Sequence, residues 1–212
     1  MQTLIRIAID PLGILTISVT LFMILDPFAS LPMFISMTKG LDGRTVKSYA
    51  NKAILVAAIL LFVFMLMGPK LMSVFDVSMS SFKVAGGIIF LMMAIELVFG
   101  LKLSQISDDS GAKWAIIASP VLTGPGVITT AIIYSQQYGM DTVAVAGVIA
   151  LIATWAILRM SSSLMKAVGE QALGVVTRII GLFIAAMGVE SIFSGSLSWF
   201  TDNTANILLM ML

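Results

Sequence analysis

Apolar residues run along this chain in six long blocks separated by charges. The blocks lie between Asp10 and Lys39, Lys52 and Lys70, Lys83 and Lys102, Lys113 and Asp141, Asp141 and Arg159, and Arg178 and Asp202. About 20 consecutive apolar residues cross a bilayer as a helix. The pattern therefore predicts membrane helices near 12–38, 49–68, 82–100, 114–135, 142–163 and 176–196. The tail from Asn203 to Leu212 is apolar but too short to cross alone, so it is expected on the surface or against the bundle. Leu71–Phe82 and Leu164–Thr177 mix apolar with charged residues and read as interfacial connectors.

The first block is interrupted by Asp26-Pro27-Phe28-Ala29-Ser30-Leu31-Pro32. Proline lacks a backbone N–H and clashes with the preceding turn, so a helix breaks or kinks there. Hydrocarbon has no partner for the freed carbonyls, so such a break must be buried in protein or line a polar cavity. The same interruption recurs in the second half. Shifted by 93 residues, Pro27–Pro32 falls on Pro120-Val121-Leu122-Thr123-Gly124-Pro125, and Asp26 falls on Ser119. Shifted by 94, Gly87, Met93, Glu96 and Phe99 fall on Gly181, Met187, Glu190 and Phe193. Three spans per half is an odd number, so the halves insert with opposite orientation. Matching interrupted helices in inverted repeats point to a transporter's binding site.

Composition narrows the class. The 212 residues are 59% hydrophobic and 11% charged, against about 25% charged in soluble domains. With a mean hydropathy of +1.07, this is an integral membrane protein. A net charge of +1 offers no basic surface for nucleic acid. Cysteine and histidine are absent, which removes disulfides, thiol nucleophiles, imidazole bases and the usual zinc ligands. No cofactor is expected. Met1–Asp10 carries Arg6 but no small-residue cleavage site, so a cleaved signal peptide is not expected. Arg6, Lys70 and Lys83 fall on one side. Lys39, Arg44, Lys47, Lys52, Lys102, Lys113, Arg159, Lys166 and Arg178 fall on the other, the expected cytoplasmic side. Both termini then face outward from the cell membrane.

Candidate chemistry centres on the two breaks. Asp26-Pro27 and Ser119-Pro120 each read as an N-cap followed by proline at the first helical position. Ser30 and Thr123 follow one turn later, and Gly124-Pro125-Gly126 adds backbone freedom. Each break exposes a positive helix N-terminus and a negative C-terminus. An amino acid zwitterion matches both, with its carboxylate on N–H groups and its ammonium on carbonyls or a carboxylate. The expected substrate-binding set is Asp26, Pro27, Ala29, Ser30, Thr123, Gly124 and Gly126. Asp26 could hold the ammonium, carry a coupling proton, help bind a sodium ion, or only cap its helix. Glu96 and Glu190 are candidates for gating or coupling. The plainer reading, hydrated interfacial carboxylates, is favoured because both are expected within about two turns of a helix end. Gly86, Gly87, Ala94, Gly181, Ala185 and Gly188 read as packing positions.

The chain resembles the MarC family of six-span membrane proteins. The resemblance rests on Asp26-Pro27-x-x-x-x-Pro32, Gly86-Gly87-Ile88-Ile89, Pro120-x-x-x-Gly124-Pro125-Gly126-x-Ile128 and Arg178-x-x-Gly181-Leu182. One departure is Ala29, where the family pattern often has glycine. The family includes a small neutral amino acid transporter, so the resemblance implies transport of glycine, alanine and similar substrates such as serine. The expectation is an all-α membrane protein in a single transmembrane domain. Six transmembrane helices form two inverted three-helix repeats, about 10–100 and 112–196, with the first and fourth helices discontinuous. The expected activity is secondary transport by alternating access, not enzyme catalysis. Two alternatives stay open: an exporter of hydrophobic compounds or antibiotics, which needs a large apolar pocket, and a non-transporting membrane scaffold. Oligomeric state is not legible.

Overall fold

The computed structural model describes residues 11–38, 40–100 and 124–211, the side chains of 125 and 205–211 excepted. The described residues are helical throughout, apart from short turns and breaks. In chain order the helices are α1 (Pro11–Leu25), α2 (Pro27–Met37), α3 (Gly43–Val74), α4 (Met79–Phe99), α5 (Pro125–Tyr138), α6 (Met140–Arg159), α7 (Ser161–Val168) and α8 (Glu170–Met211). Four of them, α3, α4, α6 and α8, are long and apolar enough to cross a membrane, and α1 with α2 forms a fifth candidate span bent by 40°.

Several boundaries differ from the hydropathy pattern, each for a local reason. The helix expected near 49–68 begins at Gly43 because the Asp42 carboxylate accepts from the Arg44 and Thr45 N–H groups at 3.0 and 3.2 Å. At its other end it continues through Pro69 to Val74. α4 starts where the Ser78 hydroxyl accepts from the Ser81 N–H at 3.1 Å, and it stops at Gly100, whose φ of 68° is left-handed. The span expected near 142–163 ends at Arg159 and is followed by the short α7. The tail from Asn203, expected on the surface or against the bundle, continues α8 to Met211. Residues 114–123 of the expected fourth span lie outside the described residues, and α5 supplies its second part.

α5 is the centre of the bundle. Val127, Ala131, Ile132 and Ile133 are buried, and so are Thr129 and Thr130. A helix buried nearly all round has neighbours on every side, and α5 packs on α1, α3, α4 and α6. Two glycines let it in. A Cβ at Gly68 would lie 2.3 Å from Ile132, and one at Gly86 would lie 2.3 Å from Thr129. α4 and α8 form a close antiparallel pair. Cβ atoms built at Gly87 and Gly188 would fall 2.5 and 2.8 Å from the opposite glycine's carbonyl oxygen. Lipid supplies little hydrophobic drive between helices, so small residues that let backbones touch hold such pairs. Gly87, Gly181 and Gly188 take the packing role expected of them, and Gly195 joins them against Ser80 and Val84.

Outside this core lies an apolar coat, including Leu55, Ile59, Leu66, Ile88, Ile152, Leu182 and Phe193. At one end the Trp155 indole donates to the Asn51 side chain at 2.7 Å, tying the start of α3 to the end of α6. Arg44, Lys47, Lys52, Arg159, Lys166 and Arg178 gather at that end of the helices, with Lys70 and Lys83 at the other.

Candidate functional site

The break in the first span is a single residue. Asp26 has φ 33° and ψ 70°, in the left-handed region, where asparagine and aspartate are among the few tolerated side chains. Pro27 through Met37 is helical and contains Pro32. The interruption thus sits at Asp26, not along 27–32, and the expected kink is the bend between α1 and α2. Asp26 is the N-cap of α2, as its sequence suggests. One carboxylate oxygen accepts from the Ala29 N–H at 3.2 Å. Its carbonyl accepts from the Ser30 N–H at 3.3 Å and from the Ser30 hydroxyl at 3.2 Å. Phe22 and Phe28 meet edge to face across the break, with centroids 6.0 Å apart.

Two features are left unspent. Asp26 is only 4% exposed, and its second carboxylate oxygen has no hydrogen-bond partner among the described residues. In addition, the Asp26 N–H donates to the Phe22 carbonyl at 3.2 Å, but no main-chain donor among the described residues reaches the next three carbonyls, Met23, Ile24 and Leu25. These are the open acceptors of a helix C-terminus. Pro27 cannot satisfy Met23 because it has no N–H. The end of α1 is a concentration of negative potential inside the protein.

The start of α5 meets it. A Cβ at Gly126 would fall 3.3 Å from the Ile24 methyl group and 2.4 Å from the Met93 sulfur. Gly124 is the N-cap of α5 and supplies no side-chain cap, and Pro125 follows at the first position. The Gly124 carbonyl accepts from Val127 N–H at 3.1 Å. The uncapped positive end of α5 therefore lies beside the negative end of α1. The two glycines differ. Gly126 is buried and needed for close approach, whereas no atom of the described residues lies within 4 Å of a Cβ at Gly124.

Asp26, Pro27, Ala29, Ser30, Gly124 and Gly126 thus lie on two segments that abut, the α1–α2 break and the start of α5. Thr123 lies outside the described residues, as do Ser119 and Pro120. Glu96 is half-buried on α4, one turn beyond Met93, on the helix that touches Gly126. Glu190 is not near a helix end, because α8 runs from Glu170 to Met211 and leaves it in the middle. It is exposed on the outer face of α8. The antiparallel register of α4 and α8 separates the two glutamates by on the order of 15 Å along the pair, so they form no common site. Hydropathy also passed over Thr154, which is fully buried with a hydroxyl unpartnered among the described residues. Its signal was available as the only hydroxyl from Val143 to Leu158.

The model of the MarC family of integral membrane proteins matches residues 12–200. The chain belongs to the MarC family. The match takes in both the α1–α2 break and the start of α5. A membrane protein of Archaeoglobus fulgidus called UPF0056 is 31% identical over 189 residues, covering 83% of this chain and 88% of its own length. The UPF0056 inner membrane protein YhgN of Escherichia coli is 27% identical over 191 residues, covering 88% of this chain and 97% of its own. YhcE of the same organism, also a UPF0056 membrane protein, is 28% identical over 189 residues, with 82% and 87% covered. No solved structure matches the chain.

Proposed function

We propose that this MarC protein is a secondary transporter of small neutral amino acids, glycine and alanine first, with serine as a further substrate. The observation that carries the reading is the meeting of two opposed helix ends inside the bundle. The end of α1 brings three open carbonyls and the unpartnered oxygen of Asp26. The start of α5 brings amide groups without a side-chain cap. A zwitterion placed between them puts its ammonium on the first and its carboxylate on the second. Met93 and Ile24 crowd Gly126, which supports a small substrate side chain.

Alternating access would come from two inverted halves of three spans each. α5 has 14 residues, about 21 Å of helix, and needs residues before Gly124 to complete the broken fourth span that brings the total to six. The basic end of the bundle is assigned to the cytoplasm, with both termini outside. A cell-membrane location agrees with the inner membrane named for YhgN. Glu96, one turn from Met93, is the better placed of the two glutamates for gating or coupling, and the driving ion is a proton or sodium. Purified protein in liposomes should take up labelled glycine under an imposed proton or sodium gradient. No uptake under either gradient, with folded protein in the membrane, would overturn the reading.

One observation favours a second reading, export of hydrophobic compounds. An open groove of about 360 Å³ lies between the start of α4 and the later part of α8, lined by Val84, Ile88, Trp199 and Phe200 with Ser80 and Ser196. It is apolar and aromatic, as that activity needs, but it lies on the α4–α8 seam and includes none of the residues at the Asp26 break. Competition separates the two readings. Leucine and phenylalanine should leave glycine uptake unchanged, and strong competition by either would move the activity to an apolar pocket.

A further inference from the structure

We propose that the Thr154 hydroxyl is a specificity-determining group of the same site, accepting one N–H of the substrate's ammonium beside Asp26. The inference rests on the reading of the α1–α2 break as an amino acid site. It starts from an exception. Buried or half-buried hydroxyls on these helices usually bond back to a carbonyl of their own helix, as Ser18 does to Ile14, Thr38 to Phe34 and Thr130 to Gly126, at 2.7 to 2.8 Å. This back-bonding is the ordinary outlet for a hydroxyl in a helix. Thr154 has the same outlet available on α6 and does not use it. Its oxygen is buried and unpartnered, a state shared among the described side chains only with the free oxygen of Asp26.

The packing puts the two residues at about the same level of the bundle, on helices that touch. A Cβ at Gly147 on α6 would lie 4.0 Å from a Leu21 methyl on α1 and 3.1 Å from Leu61 on α3. Thr154 is two turns beyond Gly147 on the same stripe of α6, with Leu151 and Leu158, and all four are buried. It therefore faces the seam in which Gly147 meets α1 and α3. α1 continues into α2, and α2 packs on α6 and on the α7 that follows it, so the two chain segments run in the same direction. From the Leu21–Gly147 contact, Asp26 lies about 7.5 Å further along and Thr154 about 10.5 Å. The two oxygens lie within about one turn of the same level.

A primary ammonium has three N–H donors and no acceptor. The free Asp26 oxygen, one open carbonyl at the end of α1 and the Thr154 oxygen make three acceptors. N-methylglycine has one donor fewer, so it probes the third acceptor directly. The experiment uses the full chain in liposomes as wild type, Thr154→Val, Thr154→Ser and Asp26→Asn. It measures binding of glycine and N-methylglycine by competition with labelled glycine, and thermal unfolding of each variant.

Thr154→Val keeps the shape and removes a buried unpaired hydroxyl, so its unfolding temperature should equal or exceed that of the wild type. Its glycine dissociation constant should rise about two- to tenfold, the usual worth of one hydrogen bond. The wild type should discriminate against N-methylglycine, and that ratio should shrink in Thr154→Val and persist in Thr154→Ser. A Val variant with wild-type glycine affinity and unchanged N-methyl discrimination overturns the proposal, as does a Val variant that unfolds earlier with both affinities unchanged. If that happens while Asp26→Asn weakens glycine binding, the Thr154 assignment fails and the site stands. If the wild type binds no glycine and Asp26→Asn changes nothing, the site reading itself fails and this inference with it.

Discussion

Replacing Asp26 with asparagine separates capping from charge. Asparagine caps a helix about as well as aspartate and tolerates the left-handed backbone that position 26 adopts. The bond to the Ala29 N–H survives, because the side-chain carbonyl oxygen can accept it. What disappears is the charge and the second carboxylate oxygen, which has no partner now. The new amide NH₂ replaces an oxygen that has no partner among the described residues, so folding should be unchanged or improved by up to about 1 kcal/mol. Binding should move the other way. An ammonium loses a charge-assisted hydrogen bond worth about 1.5–3 kcal/mol, or roughly 10- to 150-fold in dissociation constant. Asp26→Ala makes a useful contrast, since it also loses the cap, at about 0.5–2 kcal/mol, and should lower the unfolding temperature. The assay is glycine binding and gradient-driven uptake on the same purified Asp26→Asn protein. Weak binding means ammonium contact, whereas normal binding and exchange with failed concentrative uptake means proton coupling. Unchanged binding together with unchanged uptake would refute the reasoning and leave Asp26 as a helix cap alone.

Three further outcomes follow from the packing and the caps. Gly124→Val adds a side chain where no atom of the described residues lies within 4 Å of the added Cβ, so expression and unfolding temperature should hold while glycine uptake falls. A loss of folded protein instead would mean that Gly124 serves packing. Gly87→Ala places a methyl 2.5 Å from a backbone oxygen of α8, and overpacking of about 1–3 kcal/mol should lower the unfolding temperature. An unchanged temperature would sink the close α4–α8 contact. The Thr45 hydroxyl and N–H, then the Arg44 N–H, hold the Asp42 carboxyl below its ordinary value. A depressed folded value stabilises above the unfolded pKa, and that contribution is lost as pH falls from about 4 through the folded one. Hydrogen exchange in the first turn of α3 should therefore quicken below that pH. In Asp42→Asn this pH dependence should vanish, and its persistence would place the titrating group elsewhere.

The parts of the fold legible in the sequence were those written in local chemistry. The Asp26-Pro27 pair specified a cap and a first helical residue, and the structure has both. Gly87, Gly181 and Gly188 announced close helix contacts through their lack of a side chain. Helix ends were less legible because hydropathy weighs side chains and ignores caps. Asp42 extends α3 into polar sequence, and the absence of any stop signal after Thr201 lets α8 run on to Met211. That error in length misplaced Glu190, which looked terminal and is central. The candidate site shows the same division. Its charged member was visible, because a carboxylate inside an apolar run is costly and rare. The open carbonyls of α1 were implied by Pro27 but could be counted only once the hydrogen bonds were known.

What no local pattern could supply is the meeting of segments far apart in the chain. Ile24, Met93 and Gly126 touch because α5 is buried on nearly every side, and α5 fits there because Gly68 and Gly86 leave room for Ile132 and Thr129. The two glycines that seat α5 are thus remote from the break, yet they set the distance between the end of α1 and the start of α5. Helix ends attract a ligand only within about a turn of their termini. A side chain added at Gly68, 2.3 Å from Ile132, would push α5 outward and act on the junction without touching Asp26. The chemistry of the break and the packing of the bundle are therefore one constraint on this sequence.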